Sequence, residues 1–221
     1  MAKKLMEKAL ESLKSRGMEI AETWAQTDRE ACVHIFESFG FKNVRTTSLM
    51  KRSLANIPFN IGENMTVTIK DAKTNDEEDI KLINRLENET FKEHFNFRSR
   101  TIEETKYALL ESPWFQKQKW FFAVLGDQLV GYAGVGVDER LNKEKNLKWG
   151  WILDIGVLKP FRRKGIGKRL MLHGMRLLKS FWMEDVLLYV DDLNPTNAIK
   201  LYESLGFKIL RKNIVYQLSL V

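Results

Sequence analysis

Apolar positions along this chain recur every second residue in some stretches and every third or fourth in others, the periods of half-buried strands and amphipathic helices. The first fifty residues read as helix (Ala2 to Arg16), strand (Met18 to Ala25), helix (Asp28 to Phe39) and strand (Asn43 to Arg52). SLANIPFNIGE, from Ser53 to Glu63, has Pro, Gly and Asn but no period, and predicts a linker. The expected division is a segment 1–55, a linker 56–64 and a domain 65–221.

The longer series begins with MTVTIK (Met65 to Lys70), which alternates as a strand. Asn75 with Glu78 starts a helix carried on by Ile80, Ile83 and Leu86, and Thr101 with Glu104 opens another toward Leu110, which Pro113 helps to end. Lys119 to Leu125 and Gln128 to Val137 read as strands joined through Gly126-Asp127, a hairpin signal. A charged loop from Asp138 to Leu147 and a strand from Trp149 to Leu158 follow. A long helix then runs from about Gly167 to Lys179, with a strand at Val186 to Val190. Asn194 to Leu205 reads as a helix with Asn194 as N-cap, Pro195 at its first position and Gly206 at its end. Ile209 to Leu220 closes the series. The fold class is α/β (α+β), a mixed central sheet flanked by helices.

The chain partly repeats itself. LKSRGM at Leu13 returns as LKSFWM at Leu178, and ESFGFK at Glu37 returns as ESLGFK at Glu203. The two offsets, 165 and 166 residues, agree within one position and indicate a duplicated unit. Met1 then aligns with Ile166, so the first copy lacks whatever precedes that point in the second. Its strands would expose apolar edges if left free, and are expected to pack on the second domain or on another subunit.

Composition narrows the field. With 44% hydrophobic and 29% charged residues the chain reads as folded and water-soluble. The longest apolar candidate, Trp120 to Val137, is broken by Gly126, Asp127 and Gln128, so no membrane span is expected, and the N-terminus shows no signal-peptide core. Cys32 is alone, and His34, His94 and His173 are scattered, so neither a disulfide nor a metal site is expected. A cytoplasmic location follows. The net charge of +7 favours anionic partners. No nucleic-acid-binding signature accompanies it, and nucleic acid and membrane are not expected partners.

Local arrangement says more. In KPFRRKGIGKRL, from Lys159 to Leu170, six of twelve residues are cationic and two glycines stand one residue apart, between an apolar strand and an amphipathic helix. Glycines let backbone approach an anion, and the amides and dipole of a helix start bind phosphate. The alternative is a solvated basic turn. Downstream lies NPTNAIKLYESLGF (Asn194 to Phe207).

The VxxxxRxxGxG loop, the helix after it and the AxxLYxxxGF helix together resemble the GNAT superfamily of acetyl-CoA-dependent N-acetyltransferases. NPTNAIKLYE, RKNIVYQLSL and HFNFRSRTIEE (His94 to Glu104) resemble the active half of tandem-GNAT proteins of the mycothiol synthase-like type, with 1–55 as a truncated first domain. The resemblance covers about Thr66 to Val221. It implies acetyl-CoA as co-substrate and no metal. Backbone amides across Arg162, Arg163, Lys164, Gly165, Ile166, Gly167 and Lys168 would hold the CoA diphosphate. Ile155, Gly156 and Val157 would line the pantetheine arm, and Gly156 also suits a bulge or close backbone approach. Asn194 or Asn197 would bond the same arm, Asn194 being equally in demand as a helix cap. Tyr202 would be the general acid, with a packed aromatic as the plainer reading. The matching residue of the first copy is Phe36, which packs but donates no proton. Asp154 and Glu93 (or His94) are the candidate bases. His94, Phe97 and Arg98 would line the acceptor side.

The implied activity is direct transfer of acetyl from acetyl-CoA to a primary amine on a small molecule or peptide. The alternative is a catalytically silent acyl-CoA-binding or partner-binding protein on the same fold, and a homodimer is an open alternative for assembly.

Overall fold

The structure, a computed structural model, describes residues 1–58 and 67–221. Most of the expected linker, and Met65 and Thr66 of the expected strand, lie outside the described residues. The chain forms two compact units, one from Met1–Met50, Tyr189–Ile199 and Lys208–Val221, the other from Lys51–Leu188 and Lys200–Phe207.

In the first unit α1 (Ala2–Ser15), β1 (Ile20–Gln26), α2 (Glu30–Ser38) and β2 (Lys42–Ser53, of which Lys51–Ser53 belong to the second unit) meet β8 (Lys208–Ser219). β1 runs antiparallel to β8 from Ile20↔Ser219 to Gln26↔Asn213. Ala21, Ala25, Phe41 and Tyr216 form its small core, with Leu10, Leu13, Val33 and Phe36 packed on it.

The second unit carries β3 (Val67–Ala72), α3 (Glu77–Phe91), α4 (Ile102–Leu110), β4 (Lys117–Leu125), β5 (Gln128–Val137), α5 (Glu139–Lys145), β6 (Trp149–Val157) and α6 (Ile166–Ser180), with most of β7 (Asp185–Asp191) and α7 (Ala198–Ser204). Its strands lie in the order β7-β6-β5-β4-β3. Pairing is antiparallel except between β6 and β7. α3 and α4 cover one face, where Ile80, Ile83, Leu86, Leu109, Trp120, Phe122 and Tyr132 are buried together. α6 covers the other with Ile166, Leu170, Met171, Met175 and Leu178.

Some expectations change. Asp138 to Leu147 is not a loop: Asp138 accepts from the Leu141 N–H and caps α5, which Asn146 ends in the left-handed region. The cap of α3 is Asp76 rather than Asn75, its side chain accepting from the Glu78 N–H. The capping box at Thr101 and Glu104 is fully formed. α7 begins at Ala198, not near Asn194, because Asn197 sits at φ 57° and the Asn194 side chain turns back on Thr196. A single 3-10 turn at Lys159–Phe161 precedes the basic loop.

The repeated sequences repeat in local geometry. α1 ends with Met18 N–H bonded to Leu13 O at 3.1 Å, and α6 with Met183 N–H to Leu178 O at 3.1 Å. The left-handed residue is Gly17 (φ 71°) in one and Trp182 (φ 65°) in the other. At the second match, Phe41 N–H bonds Phe36 O at 3.1 Å and Phe207 N–H bonds Tyr202 O at 3.0 Å, past Gly40 (φ 85°) and Gly206 (φ 84°). The Phe36–Phe41 rings lie 5.9 Å apart at 52°, and the Tyr202–Phe207 rings 6.0 Å apart at 57°.

Candidate active site

Two departures from regular structure on β6 build the site. The first is a bulge. Gly134 pairs with Asp154 but Val135 with Ile152, leaving Leu153 without an opposite residue. Leu153 then packs on the α3-side core while the next side chain, Asp154, bonds Tyr132 of that same core. The extra residue, rather than simple alternation, aims Asp154.

The second departure is a loss of pairing. β6 and β7 pair in parallel at Trp149, Gly150 and Trp151, and the ladder stops there. From Ile152 onward β6 has β5 on one side and an open edge on the other. Leu158 N–H bonds Val130 O on the β5 side. By alternation the amides of Ile155 and Val157 point to the open edge. The Ile155 N–H is engaged at 2.9 Å by Asp154 Oδ1, and the Val157 carbonyl accepts from Arg162 Nε at 3.0 Å. The Val157 amide has no acceptor among the described residues.

The open edge leads into the basic loop. Gly165, at φ 81°, stands before α6 with no side-chain cap. The amides of Ile166, Gly167 and Lys168 have no acceptor among the described residues, as the first turn of a helix dictates. A Cβ on Gly165 would meet no heavy atom of the described residues within 4 Å, so none of them crowds that position. Gly167 is constrained instead by Leu201 of α7, 3.2 Å from where its Cβ would lie.

The cations of the loop divide into two kinds. Arg162 turns inward: besides Val157 O, it donates to Thr90 O at 3.1 Å and to Glu93 Oε2 at 3.0 Å. Its own amide bonds Lys159 O. Lys159 reaches Glu93 Oε1 at 2.6 Å. Glu93 therefore ties the loop to the end of α3, and the Lys159 and Arg162 bonds hold its carboxyl below the usual carboxylate range. Arg163, Lys164 and Lys168 make no ion pair among the described residues.

Asp154 sits on the floor formed by β5, β6 and α3. Tyr132 donates its hydroxyl to Asp154 Oδ2 at 2.7 Å. Enclosure by protein, then the nearby Glu87 charge, push the Asp154 carboxyl up to about 7, against the opposing pull of the Tyr132 bond. Glu87 is itself raised by burial although Arg100 pairs with it at 2.6 Å. Glycines make room here. A Cβ on Gly156 would run into the Thr90 side chain and lie 2.6 Å from the Tyr132 ring. One on Gly134 would lie 2.6 Å from Trp120, whose ring stacks on Tyr132 at 6.2 Å and 8°. At Gly156 the close neighbours are the side chains of Thr90 and Tyr132, and the bulge lies two to three residues before it.

Tyr202, on α7, is 6% exposed. Burial first and the Asp154 charge second raise its phenol well above the ordinary value, so it is a neutral donor at any working pH. Its hydroxyl has no hydrogen-bond partner among the described residues. His94 packs on Phe91 at 4.4 Å, Phe97 is partly buried, and Arg98 is held by both oxygens of Glu104 at 3.0 and 2.9 Å. Asn194 Oδ1 accepts from the Thr196 amide at 2.8 Å, and Asn194 and Asn197 belong to the other unit. Sequence reasoning passed over Tyr132, Thr90, Glu87 and Arg100. The available signal was GYAG (Gly131 to Gly134), an aromatic with glycines around it on a central strand.

Among the described residues no cluster suits a metal ion, and no helix is long and apolar enough to cross a membrane.

Known proteins resemble this chain in sequence or in fold. The mycothiol acetyltransferase of Thermobispora bispora is 30% identical over 196 residues, covering 88% of this chain and 64% of that protein. That of Actinosynnema mirum is 28% identical over 196 residues, covering 88% and 62%. The chain spans about three fifths of the length of these curated relatives. Among solved structures, a GCN5-related N-acetyltransferase from Sphaerobacter thermophilus has the same fold at TM-score 0.68 and 20% identity, over 91% of this chain and 60% of that one. A tandem GNAT protein from the clavulanic acid biosynthesis pathway matches at TM-score 0.71 and 13% identity, over 98% and 69%. The model of the acetyltransferase (GNAT) family matches residues 82–207, from α3 to Phe207, just past the glycine that follows α7, and the chain belongs to that family.

Proposed function

We propose that this chain is an N-acetyltransferase that moves an acetyl group from acetyl-CoA to a primary amine by direct attack. One observation carries the reading: the unpaired edge of β6 is followed, past one 3-10 turn and the basic loop, by the uncapped first turn of α6. When bound, acetyl-CoA supplies an acetyl thioester with a thiol leaving group. The residues present fit it. The amides of Ile166, Gly167 and Lys168 and the open space at Gly165 suit a diphosphate, with Arg163, Lys164 and Lys168 adding charge. The edge of β6 offers the Val157 amide to a carbonyl oxygen, the position of an oxyanion donor.

Asp154 accepts the proton of the acceptor's ammonium at a carboxylate oxygen, leaving the amine lone pair free to attack. A carboxyl titrating at about 7 suits a base at neutral pH. Tyr202 holds a proton at its hydroxyl for the departing sulfur. Glu93, committed to Lys159 and Arg162, anchors the loop rather than serving as a base. His94, Phe97 and Arg98 remain candidates for the acceptor side, while Asn194 and Asn197 lie in the other unit. The names of the relatives direct the acceptor search first to small-molecule amines. A cytoplasmic location is proposed with this activity.

Residues 1–55 are read as a partial GNAT repeat, 56–64 as a linker and 65–221 as the complete domain. The matching turns after α1 and α6, and after α2 and α7, support the duplication.

The test is acetyl-CoA turnover against a panel of amines. Release of free CoA matched by acetylated amine is the expected result. Binding of acetyl-CoA with no turnover on any amine would select the silent binding protein instead.

A further inference from the structure

We propose that Tyr132 is a positioning residue for the reaction: its hydroxyl fixes Asp154 Oδ2 while the Ile155 amide fixes Oδ1, so that the carboxylate is held in one orientation at the head of the open β6 edge. This rests on the reading of Asp154 as the base.

Packing alone does not explain a tyrosine here. The side chain is 0% exposed on a central strand, between Trp120 and the space that Gly156 leaves open. A phenylalanine would fill the same volume without the cost of burying a hydroxyl. The hydroxyl donates to Asp154 at 2.7 Å, and the Thr90 side chain lies beside it. Asp154 thereby receives one donor on each oxygen, at 2.7 Å and 2.9 Å. Two bonds in different directions stop rotation of the carboxylate.

The groups that act on Asp154 come from several elements. Tyr132 comes from β5, Glu87 and Thr90 from α3, Arg100 from the segment before α4, and Tyr202 from α7. Burial and Glu87 favour the protonated acid, whereas the Tyr132 bond, the Ile155 amide and Arg100 favour the carboxylate. Tyr132 thus opposes the burial that Asp154 needs in order to face an amine in a partly enclosed site.

The experiment uses full-length protein labelled with carboxyl-13C aspartate, with Asp154 assigned through Asp154→Asn. Its titration is followed by NMR in wild type, Tyr132→Phe and Glu87→Gln without ligand, and the pH profile of kcat/KM for an amine substrate is measured on the same proteins. Loss of one charge-assisted hydrogen bond should move the Asp154 midpoint up by about 1 pH unit in Tyr132→Phe. Removing the Glu87 charge should move it down. The acid limb of kcat/KM should follow each shift, while acetyl-CoA affinity stays as in wild type. An Asp154 midpoint unmoved in Tyr132→Phe overturns the proposal; should that variant fail to fold, 3-fluorotyrosine at position 132, a stronger donor of the same shape, should move the midpoint down, and no movement there overturns it equally. A midpoint that moves while the rate profile does not removes Asp154 from the base role and Tyr132 with it. Absence of any turnover in wild type is a different failure, that of the acetyltransferase reading.

Discussion

Gly156→Ala is the smallest change that reaches the centre of the site. The added methyl has no free volume. It would overlap the Thr90 hydroxyl and lie 2.8 Å from Thr90 Cβ and 2.6 Å from Tyr132 Cε1. Neither neighbour can yield easily: Thr90 bonds Leu86 O at 2.7 Å, and the Tyr132 ring is backed by Trp120. Overpacking of this kind costs about 1–3 kcal/mol. For a chain of this length that is a fall in Tm of roughly 3–10 °C. The displaced ring also carries its hydroxyl away from Asp154, so the acid limb of kcat/KM should rise toward higher pH. Gly165→Ala is the control, since its Cβ meets nothing within 4 Å and only φ 81° is strained, at about 1–2 kcal/mol. Beyond that strain, its loss should fall on acetyl-CoA affinity, with the acid limb of kcat/KM left in place. Urea midpoints and pH–rate profiles of both variants decide the matter. A Gly156→Ala protein as stable as wild type, with an unshifted profile, would refute the claim that close packing at Gly156 sets the geometry of Asp154.

Tyr202→Phe makes the active helix resemble its Phe36 counterpart, and turnover should fall about 10²–10⁴-fold while acetyl-CoA still binds, checked by steady-state kinetics beside a binding isotherm. Trp182→Gly places in the second repeat the residue that the first has at Gly17. The indole is 85% exposed and left-handed at φ 65°, so stability should rise by about 0.5–1 kcal/mol, read from urea unfolding. Asp154 binds its proton more tightly folded (about 7) than unfolded (3.8), so its contribution to stability is full below about pH 4 and is lost as pH rises through about 7. In Asp154→Asn that decline should vanish, and a pH series of urea midpoints for both proteins checks it.

The elements that positioned the site were open to reading because local signals and tertiary packing agree on them. The Thr101–Glu104 box, the Gly126-Asp127 hairpin and the glycine loop before α6 each owe their form to a few adjacent residues. Asp138–Leu147 was harder, since its helix is short and rests on one capping bond and an Asn146 in the left-handed region. Asn194 carried a strong N-cap signal, yet its oxygen closes a turn on Thr196 and the helix starts later. The site was half legible. The basic loop and Tyr202 lie in contiguous patterns, whereas the Tyr132–Asp154–Glu87–Arg100 set gathers residues from β5, β6, α3 and the α4 entry, which no spacing along the chain brings together. The same holds for Arg162 and Glu93. Their residue types announced charge, but only the fold shows them spent on each other.

The central claim is that the open β6 edge and the uncapped start of α6 form an acetyl-CoA site, and a thermal-shift titration with acetyl-CoA on wild type and Gly165→Glu tests it most directly. Glutamate there brings a negative charge and a strained φ to the space expected to hold a diphosphate. At about 100 times the dissociation constant, ligand should stabilise wild type by roughly 2.7 kcal/mol, a rise in Tm of several degrees. The account predicts that rise in wild type and its loss in Gly165→Glu. No rise in wild type, or an equal rise in both proteins, would contradict it.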